Sequence, residues 1–188
     1  MAGEKVVLSP IEKEDVRLFQ RWINDLVVTR YTRPHQITTL ESEKQWFKRI
    51  ISSKDDATFA IVDKKSGRTI GNVSLMKISN VDGNAEFGIM IGDKNYWGKG
   101  YGTEAAKLIL DFGFNVLRLH EIYLRVKAFN KRAVKAYEKA GFKPAGVLRQ
   151  NHFFAGKYHD VYLMDVLDKE FKSSAVKELL DSSARRQR

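Results

Sequence analysis

At 188 residues and 43% hydrophobic content, the chain is long enough to bury a core and short enough to be one domain. It has no cysteine, which excludes disulfides, thiolate metal sites and a cysteine nucleophile. Its net charge of +10 sets up a positive potential that draws nucleotide phosphates, RNA or a membrane face without choosing among them.

The first ten residues include Glu4 and Lys5 and lack an apolar stretch of signal-peptide length. No later segment approaches the roughly 18 apolar residues of a membrane span. An unexported, cytoplasmic protein with no membrane partner is expected. Residues 6–8 before Ser9 and Pro10 predict a strand, and Val16, Phe19 and Ile23 recur at helical spacing over 11–23. Thr38 with Glu41 three residues on makes a capping-box pair, and Leu40, Phe47, Ile50 and Ile51 extend it as an amphipathic helix ending near Ser53. Residues 58–62 and 69–77 read as strands around the turn Lys64-Lys65-Ser66-Gly67, and 85–91 follows the turn at 80–84, an antiparallel meander.

Helical period returns over 102–117, with Ala105, Leu108, Ile109, Phe112 and Val116 on one face. Ile122, Leu124 and Val126 alternate with Tyr123 and Arg125 as a strand. Asn130 can cap a helix running to Lys139, which Gly141 closes before Pro144. Residues 150–154 and 158–167 flank Ala155-Gly156-Lys157 as a hairpin, and a charged helical tail starts near Asp168. One domain over 1–170 is therefore expected, with 171–188 a helical or frayed tail in which Arg185, Arg186 and Arg188 are solvated.

Chemistry concentrates where Ile89-Met90-Ile91 leads through a short connection to Trp97-Gly98-Lys99-Gly100-Tyr101-Gly102-Thr103. A strand feeding a glycine-rich turn that opens a helix presents backbone N–H groups and the positive end of the helix dipole to an anion, which suits a pyrophosphate. A tight turn with a packing role alone has the same appearance. The spacing matches neither the P-loop nor the dinucleotide glycine fingerprint, which counts against nucleotide hydrolysis and hydride transfer.

A second segment, Asn130-Lys131-Arg132-Ala133-Val134-Lys135-Ala136-Tyr137-Glu138-Lys139-Ala140-Gly141-Phe142, lies one strand further on. Together the two resemble the acetyl-CoA motifs of the GNAT superfamily of N-acetyltransferases: Arg/Gln-x-x-Gly-x-Gly/Ala, a strand, then Asn-x-x-Ala-x-x-x-Tyr-x-x-x-Gly-Phe. The ending, from Gly146-Val147-Leu148-Arg149 through Gly156-Lys157-Tyr158-His159-Asp160 to Met164, resembles the branch that holds ribosomal-protein N-terminal acetyltransferases and spermidine acetyltransferases. The resemblance implies an α+β fold of the acyl-CoA N-acyltransferase type. In it a mixed, mainly antiparallel sheet carries helices on both faces and splays between 85–91 and 122–126.

It further implies that Ile89, Met90 and Ile91 run beside the pantetheine arm of acetyl-CoA, and that Gly98, Lys99, Gly100, Tyr101, Gly102 and Thr103 hold the pyrophosphate. Asn130 and Ala133 would contact the coenzyme from the other side, and no metal is implied. Trp97 stands where the family usually has Arg or Gln, so the resemblance leaves its backbone, rather than its side chain, as its contribution to phosphate binding; Lys99 either compensates or is solvated. Tyr137 is the implied general acid for the departing sulfur. By periodicity alone it lies on an ordinary packing face with Ala133, Ala136 and Ala140.

Glu86 alternates with Phe87, so it occupies the strand face opposite Phe87, Ile89 and Ile91. There it is either a base for the incoming ammonium or a solvated carboxylate. The four histidines have no metal-ligand spacing; His152 and His159 flank the hairpin turn, where surface positions are expected. A non-catalytic acyl-CoA-binding module and an RNA- or ribosome-binding protein remain as other classes, and ribosome association or a homodimer is compatible with the resemblance. For the acceptor, the stretch from Arg30 to His35 carries no acid, which counts against spermidine. A protein N-terminal amine or an uncharged or anionic small amine fits it better.

Overall fold

The computed structural model describes residues 1–31 and 37–172. One sheet holds seven strands in the order β1-β2-β3-β4-β5-β7-β6. They are β1 Val6–Ser9, β2 Ala57–Asp63, β3 Thr69–Ser79, β4 Asn84–Ile91, β5 Glu121–Lys127, β6 Lys143–Phe154 and β7 Lys157–Leu167. Every neighbouring pair is antiparallel except β4 with β5, which is parallel. The expected mixed, mainly antiparallel sheet is therefore the one that forms.

Alternate side chains of a strand point to opposite faces, and here each face has its own cover. On one, α1 Val16–Ile23, α2 Leu26–Thr29 and α3 Leu40–Ser52 follow one another, and Phe19, Trp46, Phe47 and Ile50 pack over Ala60, Val62 and Met90. On the other, α4 Tyr101–Asn115 and α5 Lys131–Ala140 set Ala105, Leu108, Ile109 and Ala133 against Ile61, Val73, Leu75, Phe87 and Ile122. The α4 side is the main core, where Ile70, Leu75, Ile109 and Ile122 are fully buried.

Several boundaries differ from the sequence reading for local reasons. The α3 cap is Thr39, not Thr38: Thr39 is extended, and its hydroxyl accepts from the Ser42 N–H at 3.1 Å. Thr38 instead ties the segment to α1. Its carbonyl accepts from Gln20 at 3.0 Å and from the Asn24 amide at 2.8 Å, and its N–H donates to Asn24 Oδ1 at 2.8 Å. Adjacent threonines offer the same capping chemistry, and only the tertiary contacts separate them. A 3-10 turn, Lys13–Asp15, precedes α1, and the short α2 has no periodicity long enough to be read.

Helix α4 ends at Asn115 rather than Leu117, because the N–H groups of Val116 and Leu117 share the Phe112 carbonyl. Strand β6 starts seven residues before the expected Gln150. Pro144 and Gly146 hide it in the sequence, but β6 is an edge strand, where a proline deprives no neighbour of a donor. Of the expected helical tail, a 3-10 turn Asp168–Glu170 is present; the rest, from residue 173, lies outside the described residues. None of the described helices is long and apolar enough to cross a membrane.

Replacing Thr39 with Ala should cost about 1 kcal/mol, the usual value of an N-cap. Thr38→Ala keeps every backbone bond and should cost less than half as much. Urea denaturation of the two variants checks this, and equal losses would reinstate Thr38 as the cap.

Candidate active site

The site begins with a sheet defect. Strands β4 and β5 pair only at Asn84–Glu121, Ala85–Ile122 and Glu86–Tyr123. Beyond Glu86, β4 stays bonded to β3 through Ile91, while its other edge has no strand partner. A cleft of about 1550 Å³ passes through this seam. The α4–α5 face and the α1–α3 face of the sheet both contribute to its walls.

On the α4–α5 face, Ile89 and Ile91 pack toward the core, and with Met90 they border the cleft. The turn after them has left-handed backbone at Gly98 (φ 73°) and at Gly100 (φ 90°), which caps α4 without a side chain. Such dihedrals suit glycine. Among the described residues no protein acceptor meets the backbone N–H groups of Gly98 through Thr103. A side chain at Gly98 would meet open space, and one at Gly102 would make only ordinary contact with Ile91 at 3.6 Å. Unclaimed N–H donors at the start of a 15-residue helix make a concave anion cradle. The residues present therefore fit the phosphates of a coenzyme A thioester.

Trp97 has a different use from the family's Arg or Gln. Its indole N–H donates to the Ile91 carbonyl at 2.7 Å, which ties the turn to the end of β4. The Arg132 guanidinium lies 4.1 Å over its ring, a cation–π contact. So a positive charge does reach the turn, but from the first turn of α5. Lys5 approaches from the opposite side, where its ammonium donates to the Lys99 carbonyl at 3.1 Å. Sequence reading missed both cations, since neither lies near the motif along the chain. The Lys99 side chain is exposed and, like Tyr101, does not line the cleft.

Asn130 caps α5, accepting from the Ala133 N–H at 3.3 Å, and both residues border the cleft. One turn on, the Tyr137 ring stands edge-on to Phe87 at 5.7 Å and to Phe142 at 5.9 Å. These two rings fix its direction, and no described residue takes its hydroxyl as a partner. Burial against them pushes its pKa up to about 12.

The α1–α3 face supplies the carboxylates Glu43, Asp56 and Glu86. Glu86 lies on the face opposite Phe87, as alternation predicts. It is neither isolated nor fully solvated: the Lys77 ammonium donates to it at 2.6 Å, and Glu86 in turn raises the Lys77 pKa. Arg125 and Lys127, two apart on β5, also border the cleft, and neither has an ion-pair partner among the described residues. Burial, with Arg125 adding to it, lowers the Lys127 pKa. His152 stacks on Phe129 at 6.1 Å and His159 tilts against it at 4.7 Å, and neither lines the cleft.

Comparison with known proteins agrees with this geometry. Residues 5–143 match the acetyltransferase (GNAT) domain family. The spermidine N(1)-acetyltransferase of Escherichia coli K12 is 32% identical over 170 residues, 90% of each chain. An uncharacterized N-acetyltransferase, p20, from Bacillus licheniformis is 29% identical, covering 89% of this chain and 96% of that one. Among solved structures, spermidine N-acetyltransferase from Vibrio cholerae in complex with CoA and spermine superposes with a TM-score of 0.83. It is 28% identical and covers 90% of this chain and 99% of its own.

The chain thus belongs to the GNAT acetyltransferases. It is an N-acetyltransferase that draws its acetyl group from acetyl-CoA.

The Tyr137 shift predicts a pH effect on stability. A phenol whose pKa is raised by folding contributes stability below its unfolded value of about 10, and that contribution is lost as pH rises toward the folded value of about 12. Over that window the wild-type protein should lose unfolding free energy that Tyr137→Phe keeps. Parallel curves for the two proteins from pH 9 upward, in denaturant titrations, would contradict the desolvation of the Tyr137 phenol.

Proposed function

We propose that the chain acetylates a small primary amine of the polyamine class, spermidine foremost, by direct attack in a ternary complex. The observation that carries this reading is the cleft through the β4–β5 seam. A phosphate cradle and Tyr137 stand on one side of it, and Glu43, Asp56 and Glu86 on the other. The names of the relatives supply the acceptor class. Spermidine was disfavoured above because the loop from Arg30 to His35 has no acid. Residues 32–36 lie outside the described residues, but the carboxylates a polycation needs come from α3, the approach to β2, and β4.

In this reading Gly98, Lys99, Gly100, Tyr101, Gly102 and Thr103 hold the pyrophosphate through their backbone, while Trp97 places Arg132 beside it. Ile89, Met90 and Ile91 offer the strand edge that β5 leaves, short of the Ile91 carbonyl that Trp97 holds, to the pantetheine arm, in the manner of strand addition, and Asn130 and Ala133 border it opposite. The amine nitrogen attacks the thioester carbonyl, the carbon–sulfur bond breaks, and the sulfur takes the Tyr137 proton. With its pKa pushed up to about 12 by burial, Tyr137 stays protonated at any working pH and has a proton to give as sulfur departs. The proton lost by nitrogen passes toward Glu86, directly or through water, and solvent restores the phenol.

We assign one catalytic domain to residues 1–170 and a cytoplasmic location, where acetyl-CoA is available. Self-association belongs to the same reading, since a spermidine N-acetyltransferase from Vibrio cholerae has a dodecameric structure. A second acceptor reading rests on Arg125 and Lys127, whose uncompensated charges suit an amine that also bears a carboxylate.

Three measurements test these assignments. Acetyl-CoA should raise the melting temperature by mass action; Gly102→Ala should keep the effect and Gly102→Glu should abolish it, whereas stabilisation of both would put the phosphates elsewhere. Tyr137→Phe should keep acetyl-CoA affinity and lower kcat about 10²-fold or more. A wild-type rate in that variant would make the tyrosine a packing residue. In an amine panel scored by thiol release, spermidine should give the highest kcat/KM; preference for a carboxylate-bearing amine would select the second reading instead.

A further inference from the structure

Asp63, at the end of β2, is 5% exposed, has no ion-pair partner among the described residues, and does not line the cleft. Its charge is met by neutral donors alone. The Ser66 hydroxyl donates to Oδ2 at 2.6 Å and the Ser66 N–H at 3.2 Å, while the Lys65 N–H reaches Oδ1 at 3.4 Å. Two further donors come from far along the chain. The Tyr96 hydroxyl lies 3.3 Å from Oδ2 and the Tyr101 hydroxyl 3.3 Å from Oδ1. These two tyrosines also pack edge to face at 4.9 Å.

Tyr96 and Tyr101 are the residues immediately before and after the four-residue stretch Trp97-Gly98-Lys99-Gly100. One carboxylate therefore holds both ends of the phosphate turn, one oxygen to each end. The turn needs such a hold because its two left-handed glycines, Gly98 and Gly100, are free to adopt many other backbone conformations. Its N–H groups form a cradle only when several point to one place, and ordering them at the moment of binding would subtract from affinity. The Trp97 bond to Ile91 and the Lys5 bond to Lys99 pin the interior of the turn; the Asp63 bonds pin its margins.

The chemistry also explains why an acid is used. A carboxylate only accepts, through two oxygens, and can serve a phenol on each side as well as Ser66. An asparagine would offer one oxygen and turn two donor hydrogens toward the other phenol. An acid near an anion cradle costs binding energy by repulsion, so its location behind the turn, outside the cleft, is what makes it tolerable.

We propose that Asp63 is a positioning residue for the coenzyme: acting through Tyr96 and Tyr101, it preorganises the turn that receives the phosphates of acetyl-CoA. This rests on the reading of residues 98–103 as the phosphate cradle. Calorimetric titration of acetyl-CoA into the folded full-length protein tests it, with S-acetylpantetheine, which lacks the phosphates, as the second probe in steady-state assays.

Asp63→Asn should weaken acetyl-CoA binding about tenfold, the scale of one hydrogen bond to a charged group. It should raise KM for acetyl-CoA while leaving kcat at saturation and the KM for S-acetylpantetheine near wild type. The double variant Tyr96→Phe/Tyr101→Phe, which leaves the Ser66 bonds of Asp63 in place, should reproduce the defect, and adding Asp63→Asn to it should weaken binding no further. Unchanged acetyl-CoA affinity in Asp63→Asn and in the double variant overturns the proposal. So does an equal loss toward both probes, which would mark a merely structural role. Gly102→Glu separates the two levels: if it binds acetyl-CoA normally, the cradle itself is misassigned. If it fails to bind while Asp63→Asn binds as wild type, only the positioning role falls.

Discussion

The proposed site depends on one constraint, three parallel residue pairs that are not continued. β4 and β5 start side by side at Asn84 and Glu121 and part after Glu86 and Tyr123. A sheet that remained paired would leave no opening, and the two helical layers would be sealed from each other. Because the strands part, the cleft joins the two faces, and in the proposed reading a coenzyme on the α4–α5 side meets an acceptor on the α1–α3 side in the sheet plane. The strand alternation that buries the core also sorts the chemistry. Phe87 and its neighbour Tyr137 fall on one face, and Glu86 falls on the other.

Positive charge is distributed in a way that the net value of +10 does not reveal. At the coenzyme turn Arg132 and Lys5 arrive from different elements and are each held by a specific contact, a tryptophan face and a carbonyl. On the α1–α3 face the Lys77 charge is compensated by Glu86, whereas Arg125 and Lys127 are in no ion pair among the described residues. In the proposed reading, a positive surface is therefore only part of what would bind the coenzyme's phosphates. Backbone N–H groups provide the geometry, and the cations add attraction at its border.

The order of strands and helices was legible because each long element has a clean period. Phe19 and Ile23, Leu108 and Ile109, and Ile122 to Val126 all lie where their spacing placed them. The glycines of the turn and the Asn130 cap were legible for the same reason: they satisfy local backbone requirements that no distant residue can change. The choice between Thr38 and Thr39, the early start of β6 at Lys143, and the short α2 were not legible. Each depends on a partner elsewhere: Asn24 and Gln20 for the threonine, an edge position in the sheet for Pro144.

The sequence by itself determined the order of strands and helices, the glycine turn before α4 and the Asn130 cap, because these follow from periodicity and local backbone requirements; the fold class, and the assignment of that turn and of Tyr137 to a coenzyme, came from resemblance to a family. Only the tertiary structure decided that Trp97 is a tether that places Arg132, that Tyr101 turns back to Asp63, and that Glu86 shares its charge with Lys77. The reason is distance along the chain. Asp63 and Tyr101 are 38 residues apart, and no local pattern encodes which of many acids a phenol will meet once packing has brought the start of α4 against the end of β2.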